Sequence, residues 1–396
     1  MKKVLFCYVI SIIAITTSLV AFGETRPGDR PPGVSPPPEL SLKEAFAGSF
    51  LVGAALSKEQ ILGAEPGTLE FVSSQFNALT PENDMKWERI QPLENQFDWE
   101  APDALVQFSQ ANNIHLTGHV LVWHSQTPDW VFEDGAGKPA SRELLLARME
   151  SHISTVVGRY KGKVQSWDVV NEALNEDGSL RESPWLTIIG EDYLEKAFEF
   201  AHRADPDAEL YYNDYNLFVP AKRDGAVHLV QNLQDKRVVV HGIGMQAHYG
   251  LDNPKDLGQF EDAIEAYAEL GVSVLVTELD ISVLPFPEQE KWGADISLNM
   301  ELQEQFNPYA AGLPPAVAQA QSDRFVDLFR ILLNHRDSVS RVTFWGVDNV
   351  HSWRNNWPMQ GRTDYPLLFD RNRRPRQAFY EIIKLTTPAQ QGAIEQ

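Results

Sequence analysis

Eight short apolar runs recur along the chain: FLVGAAL (50–56), FNALTPEN (76–83), IHLTGHVLVW (114–123), VQSWDVVNEA (164–173), ELYYNDYN (209–216), HGIGMQAH (241–248), VSVLVTEL (272–279) and RVTFWGV (341–347). Their apolar residues mostly sit at consecutive positions, as in parallel strands covered on both faces. In the stretches between them apolar residues fall on one helical face. These are Leu145, Met149, Ile153, Val156 and Tyr160; Leu194, Phe198 and Ala201; Phe260, Ile264, Tyr267 and Leu270; and Phe325, Leu328 and Leu332. Gly271 reads as the stop signal of the third such helix and Ser322 as the N-cap of the fourth. The alternation predicts the α/β class, and eight units over residues 45–385 suit a single closed (β/α)8 TIM barrel better than an open doubly wound sheet. No G-x-G-x-x-G or Walker turn follows any strand, so nucleotide binding has no support and no cofactor is expected.

The ends of the chain differ from this pattern. Residues 1–23 carry Lys2 and Lys3, then an apolar run, then the small-x-small ending AFG, which together read as a cleaved signal peptide and predict a secreted protein, periplasmic or extracellular. An uncleaved anchor is the competing reading, and Thr16, Thr17 and Ser18 dilute the run it would need. The only cysteine, Cys7, lies in this segment, so the mature chain would hold no disulfide, thiol nucleophile or thiolate metal ligand. Residues 24–44 are Pro-rich and read as a stiff linker, and residues 386–396 as a flexible tail. A formal charge of −21 disfavours nucleic acid and anionic membranes as partners. A neutral substrate and a monomer are expected, with no membrane contact after signal cleavage.

In such a barrel the active site lies at the C-terminal ends of the strands. The second run ends on Glu82 and Asn83, with Lys86 just beyond; the third carries His119, Trp123 and His124; the fourth ends on Asn171 and Glu172. The fifth offers Asn213, Asp214, Tyr215 and Asn216, the sixth Gln246 and His248, the seventh Glu278 and Asp280, and the eighth Trp345, with Trp353 following. A single strand-end glutamate is usually a solvated carboxylate. Two of them, on strands four and seven, can face each other across a cleft, which is what glycoside hydrolysis requires.

The segments TPENDMKWERIQP, GHVLVWHSQTPDW, WDVVNEA, YYNDYN, GIGMQAH, VTELDI and FWGVDNVHSW resemble, in order and spacing, those of glycoside hydrolase family 10, the endo-β-1,4-xylanases. The resemblance spans about residues 45–385. It implies a retaining hydrolase of xylan, with Glu172 as acid/base and Glu278 as nucleophile, their carboxyls about 5–5.5 Å apart. It assigns Asn171 to the 2-hydroxyl of the reacting sugar, and places His248 beside the nucleophile with Asp280 behind it, fixing the imidazole tautomer. Glu82, Asn83, Lys86, His119, Trp123 and Gln246 match glycone-side contacts, Trp345 and Trp353 the aromatic platform and lid, and Asn213 and Tyr215 aglycone-side positions. Trp167, inside strand four, reads as core filling, and His124 as a structural hydrogen-bonding residue.

Other readings compete. A barrel endoglucanase or mannanase would use the same two glutamates. A metal-dependent barrel hydrolase would draw on His119, His124, His248 and Asp280, but the H-x-H and H-E-x-x-H spacings are missing, so no metal is expected. A non-catalytic xylan-binding barrel would have lost one of the glutamates. The loops 285–321 and 354–365 depart from the family pattern, and the first is long enough to carry local helix and overhang one rim.

Overall fold

Each of the eight apolar runs forms a strand of one closed parallel sheet. They are β1 (Leu51–Leu56), β2 (Ala78–Pro81), β3 (His115–Val122), β4 (Ser166–Asn171), β5 (Glu209–Asp214), β6 (Gly242–Met245, resuming as His248–Gly250), β7 (Ser273–Ser282) and β8 (Val339–Phe344). This computed structural model describes residues 40–296 and 300–387, all within one compact unit. The signal segment, most of the Pro-rich linker and nearly all of the C-terminal tail lie outside the described residues.

Closure is visible in the register. Gly53 of β1 pairs with both Ala78 of β2 and Thr343 of β8, and Gly242 of β6 pairs with both Tyr211 of β5 and Ser273 of β7. The strands are buried on both faces along most of their length, which is why their sequences are apolar without alternation. Trp167 is fully buried, as its place inside β4 predicted. Its indole fills the space beside Gly118, where a Cβ would lie 2.1 Å from the ring. Only glycine fits there.

Helices cover the outside of the barrel. The predicted faces lie on Arg142–Arg159, Tyr193–Ala204, Gly258–Ala268 and Pro315–Asn334, and Gly271, at φ +72°, follows the third as its stop. The fourth helix departs from expectation: Ser322 is not its N-cap. The helix begins with Pro315 at its first position and Pro314 as the cap, and Ser322 is buried within it. The folded unit also starts earlier than the linker boundary at residue 44, because Ser41 caps the short helix Leu42–Ala45 and Leu42 is fully buried. Among the described residues no helix is long and apolar enough to cross a membrane.

The loops 285–321 and 354–365 pack on each other. The first carries a 3-10 turn, Gln289–Lys291, and a helix, Met300–Phe306. Asp295 pairs with Gln360 as an isolated bridge, and Ile296, Phe306 and Met359 form a small apolar core of their own. This satellite is tied down by Arg362, which donates to the carbonyls of Phe306 (3.2 Å) and Pro285 (2.9 Å).

Candidate active site

Parallel strands bring all eight C-terminal ends to one rim, and β4, β6 and β7 carry the Glu172, His248, Glu278 and Asp280 group there. β4 ends at Asn171, and Glu172 follows in the left-handed region at φ +55°, a conformation few non-glycine residues adopt. Its backbone N–H still donates to the carbonyl of Asn213 (2.9 Å), while its own carbonyl accepts from Arg181 Nε (3.0 Å). The twist therefore occurs with the backbone held at both ends. It turns the carboxylate toward β6, where Gln246 Nε2 donates to Oε1 (2.9 Å) and Trp123 Nε1 donates to Oε2 (2.9 Å).

On β7, Glu278 and Asp280 are two residues apart, so both side chains point to one side of the strand. The break in β6, at Gln246 and Ala247 (φ +60°), sets His248 in register with Asp280. The imidazole then bridges them, Nδ1 to Asp280 at 2.8 Å and Nε2 to Glu278 at 3.0 Å. Burial opposes a charged His248, but Asp280 and Glu278 outweigh it and raise the imidazole to about 9. Burial likewise opposes ionisation of Asp280, yet Arg354, His248 and the Trp353 indole hold it at about 2. Glu278, too, is held below the usual carboxylate range in spite of its burial, by His248, then His119 and Lys86. His248 is thus an imidazolium at neutral pH and donates from both nitrogens, so Asp280 stabilises a charge rather than fixing a tautomer.

The two glutamates are joined by amides. Asn213 Nδ2 donates to Glu278 Oε1 (2.8 Å) and to Asn171 Oδ1 (3.0 Å), and Gln246 Nε2 donates to the same Asn171 oxygen (3.2 Å) and to Glu172. Thr277 Oγ1 donates to Asn213 Oδ1 at 2.6 Å. Gly244 of β6 leaves the room this requires, since a Cβ there would lie 2.4 Å from Asn213 Oδ1. Asn213 is fully buried. It orients Glu278 from beneath and is not the aglycone-side contact expected of it. Gln246, 3 % exposed, is likewise engaged with protein carboxyl and amide groups rather than open to the cleft.

The remaining predicted residues fall into three places. Lys86 Nζ donates to Asn83 Oδ1 (3.0 Å) and Gln126 Oε1 (2.9 Å) and lies 5.0 Å from the centre of the half-buried Trp123 ring. Burial lowers Lys86 and raises Glu82, each opposed by the other's charge. His119, almost fully buried, bonds Asp168 through Nδ1 (2.8 Å) and meets Trp345 edge-on at 5.4 Å. Trp353 Nε1 donates to Asp280 (2.7 Å), and its ring lies 4.7 Å from that of His248.

Tyr215 is set apart: its hydroxyl accepts from Arg181 (2.8 Å), and Lys222 Nζ lies 3.5 Å from the centre of its ring. His124, expected to be a structural hydrogen-bonding residue, makes no side-chain hydrogen bond among the described residues; it stands edge-on to Trp123 at 5.9 Å. Burial lowers its pKa, with Glu172 opposing. No three His, Cys, Asp or Glu side chains among the described residues converge in a way that could hold a metal.

Sequence reasoning missed Asp168, Gln126, Thr277, Arg181 and Arg354. Asp168 was findable, as a charged residue inside a run that must be buried. Arg354 was not, because it lies in a loop without periodicity.

Comparison with known proteins follows the same boundaries. Residues 41–385 match the model of "Glycosyl hydrolase family 10". The chain is 45% identical over 345 residues to Endo-1,4-beta-xylanase A of Xylanibacter ruminicola, covering 87% of this chain and 93% of that one. It is 43% identical over 352 residues to an endo-1,4-beta-xylanase of Geobacillus stearothermophilus, covering 87% and 98%. Among solved structures, an endoxylanase retrieved from a sugarcane soil metagenome superposes with a TM-score of 0.82 at 41% identity, covering 88% of this chain and 99% of that one. A mutant in complex with xylotriose gives a TM-score of 0.78 at 37% identity, covering 87% and 99%.

Proposed function

The chain belongs to glycosyl hydrolase family 10 and is a retaining endo-1,4-β-xylanase, and from that premise we propose that Glu278 is its nucleophile and Glu172 its acid/base. The observation that carries the assignment is the asymmetry between the two carboxyls. Glu278 contacts an imidazolium and sits in a cluster of positive charge that keeps it ionised, as a nucleophile must be. Glu172 has neutral donors only on its carboxylate, an indole and an amide.

In the first step a Glu278 oxygen attacks the anomeric carbon as Glu172 gives its proton to the departing glycosidic oxygen, leaving a glycosyl ester. In the second, Glu172 takes a proton from water, the water oxygen attacks the same carbon, and the ester bond breaks to return Glu278 as a carboxylate. Two displacements restore the starting configuration. Lys86, Asn83, Trp123 and Trp353 line this centre with an ammonium, an amide and indole faces, the pairing that sugar hydroxyls and C–H faces favour.

Glu172→Ala tests the assignment. Activity on xylan should fall by about 10²–10⁴-fold, the usual contribution of a general acid, whereas the first step on an aryl xyloside with a good leaving group should be nearly unaffected. Equal losses on both substrates would move the acid role to another residue.

The N-terminal residues support export. Lys2 and Lys3, the apolar run and the AFG ending are the parts of a secretion signal, and an extracellular enzyme suits a substrate too large to enter a cell. N-terminal sequencing of protein recovered outside the cytoplasm should begin after Gly23; an intact Met1 would refute cleavage.

A further inference from the structure

Four aromatic side chains lead away from the catalytic centre. Trp353, fixed on Asp280 by its indole N–H, stacks against Trp357 at 4.8 Å with the planes 20° apart. Trp357 in turn meets Trp292 at 5.4 Å and Phe286 at 5.6 Å, and those two lie 6.0 Å apart. The outer three are open to solvent, Phe286 by 54 %, Trp292 by 42 % and Trp357 by 38 %. Exposed rings gathered in this way mark binding surfaces on soluble proteins. Nothing in the two-step mechanism uses them.

We propose that Phe286, Trp292 and Trp357 form an accessory stacking platform for a neutral sugar ring of the xylan substrate, beside the cleavage site. The proposal rests on the xylanase reading. Three observations favour a sugar over a second protein chain. The platform is continuous with Trp353, so a substrate held at Glu278 already lies against its inner end. The aliphatic residues that flank these rings in sequence, Leu284, Ile296 and Met359, are buried, so what the three positions themselves offer to solvent is aromatic. The indole N–H of Trp292 is engaged by the carbonyl of Pro287 (3.2 Å), so that side chain offers its ring faces, which match the C–H face of a pyranose or furanose.

The platform is also built in advance. The Asp295 to Gln360 bridge, the Ile296, Phe306 and Met359 core and the Arg362 bonds hold both loops together through the protein's own contacts. Little ordering remains to oppose binding.

The test is the double variant F286A/W292A, which spares Trp357 and hence the stack on Trp353. Its kcat/KM should be compared with that of the parent on linear xylohexaose, on arabinose-substituted xylan and on a short aryl xylobioside. The ratio of long-substrate to aryl-xylobioside kcat/KM should fall about tenfold, through KM, as the loss of one or two stacking contacts implies. A fall on both long substrates identifies a backbone xylose as the ligand, and a fall on the substituted xylan alone identifies the side branch. An unchanged ratio would overturn the proposal, including the case in which all three substrates lose equally because the rings only support Trp353. So would a parent dimer that the variant dissociates on size exclusion. Failure of the parent to release sugar from any xylan would instead refute the xylanase reading.

Discussion

Glu278→Ala should reduce turnover of xylan by about 10⁵-fold, the scale seen when a nucleophile is removed from an otherwise intact site. The loss should lie in kcat rather than folding. Glu278 stands at the rim end of β7, and its departure leaves His248 still paired with Asp280 and Asn213 still bonded to Asn171. The space vacated by the carboxylate lies on the face of the sugar from which attack begins. Azide added with an activated aryl xyloside should therefore restore part of the rate. Its terminal nitrogen bonds to the anomeric carbon, the aryloxide leaves, and a single displacement gives the α-glycosyl azide. Proton NMR of the product distinguishes this from the β-azide, which would place the nucleophile elsewhere.

Lys222→Met should destabilise the fold by about 3–5 kcal/mol, the typical consequence of leaving one member of a buried ion pair uncompensated. Lys222 and Asp214 are both fully buried, with Nζ 2.9 Å from Oδ1. Even so, burial outweighs the lysine and raises Asp214 to about 6. Between its ordinary range near 3.8 and 6 the folded protein thus holds a proton that the unfolded chain has released, and stability from this group falls as pH rises through that window. Removing Lys222 takes away the cation that most lowers the Asp214 pKa. The deficit in urea midpoint should accordingly be smallest below about pH 6, where Asp214 keeps its proton in both folded proteins, and grow as pH rises above it. A deficit independent of pH would show that lost packing, not charge, is responsible.

The pair also bears on catalysis. Asp214 Oδ2 accepts from the backbone of Leu174 (3.3 Å) and from the Tyr212 hydroxyl (2.5 Å), and the same hydroxyl accepts from the N–H of Ala173 (3.2 Å). The two residues after Glu172 are therefore anchored to this buried cluster, and Lys222→Met should lower kcat on xylan as well as stability.

The barrel was legible because strands buried on both faces cannot hide their composition, and the helical faces between them repeat with the right period. Ser322 misled because it has the chemistry of a cap, while the true start lies in GLPPAVAQAQ, whose prolines read as loop; Pro315 at the first position is the signal that was available. The two glutamates were legible because a carboxylate ending an apolar run is out of place unless used. The direction of the amides was not. Asn213 finds Asn171 from 42 positions away and Gln246 from 75, and whether such a group faces the cleft or a neighbouring strand depends on register that no local pattern contains.

The strut between the two catalytic acids is made of Gln246, Asn171 and Asn213, and primary amides neither gain nor lose protons across the pH range in which an enzyme works. The distance that selects a double displacement is thus set by parts indifferent to acidity. What keeps Glu278 ionised is a separate set of groups: His248, then His119 and Lys86. Spacing and acidity have different owners in this site, so a substitution that shifts the pH optimum can leave the stereochemical outcome untouched.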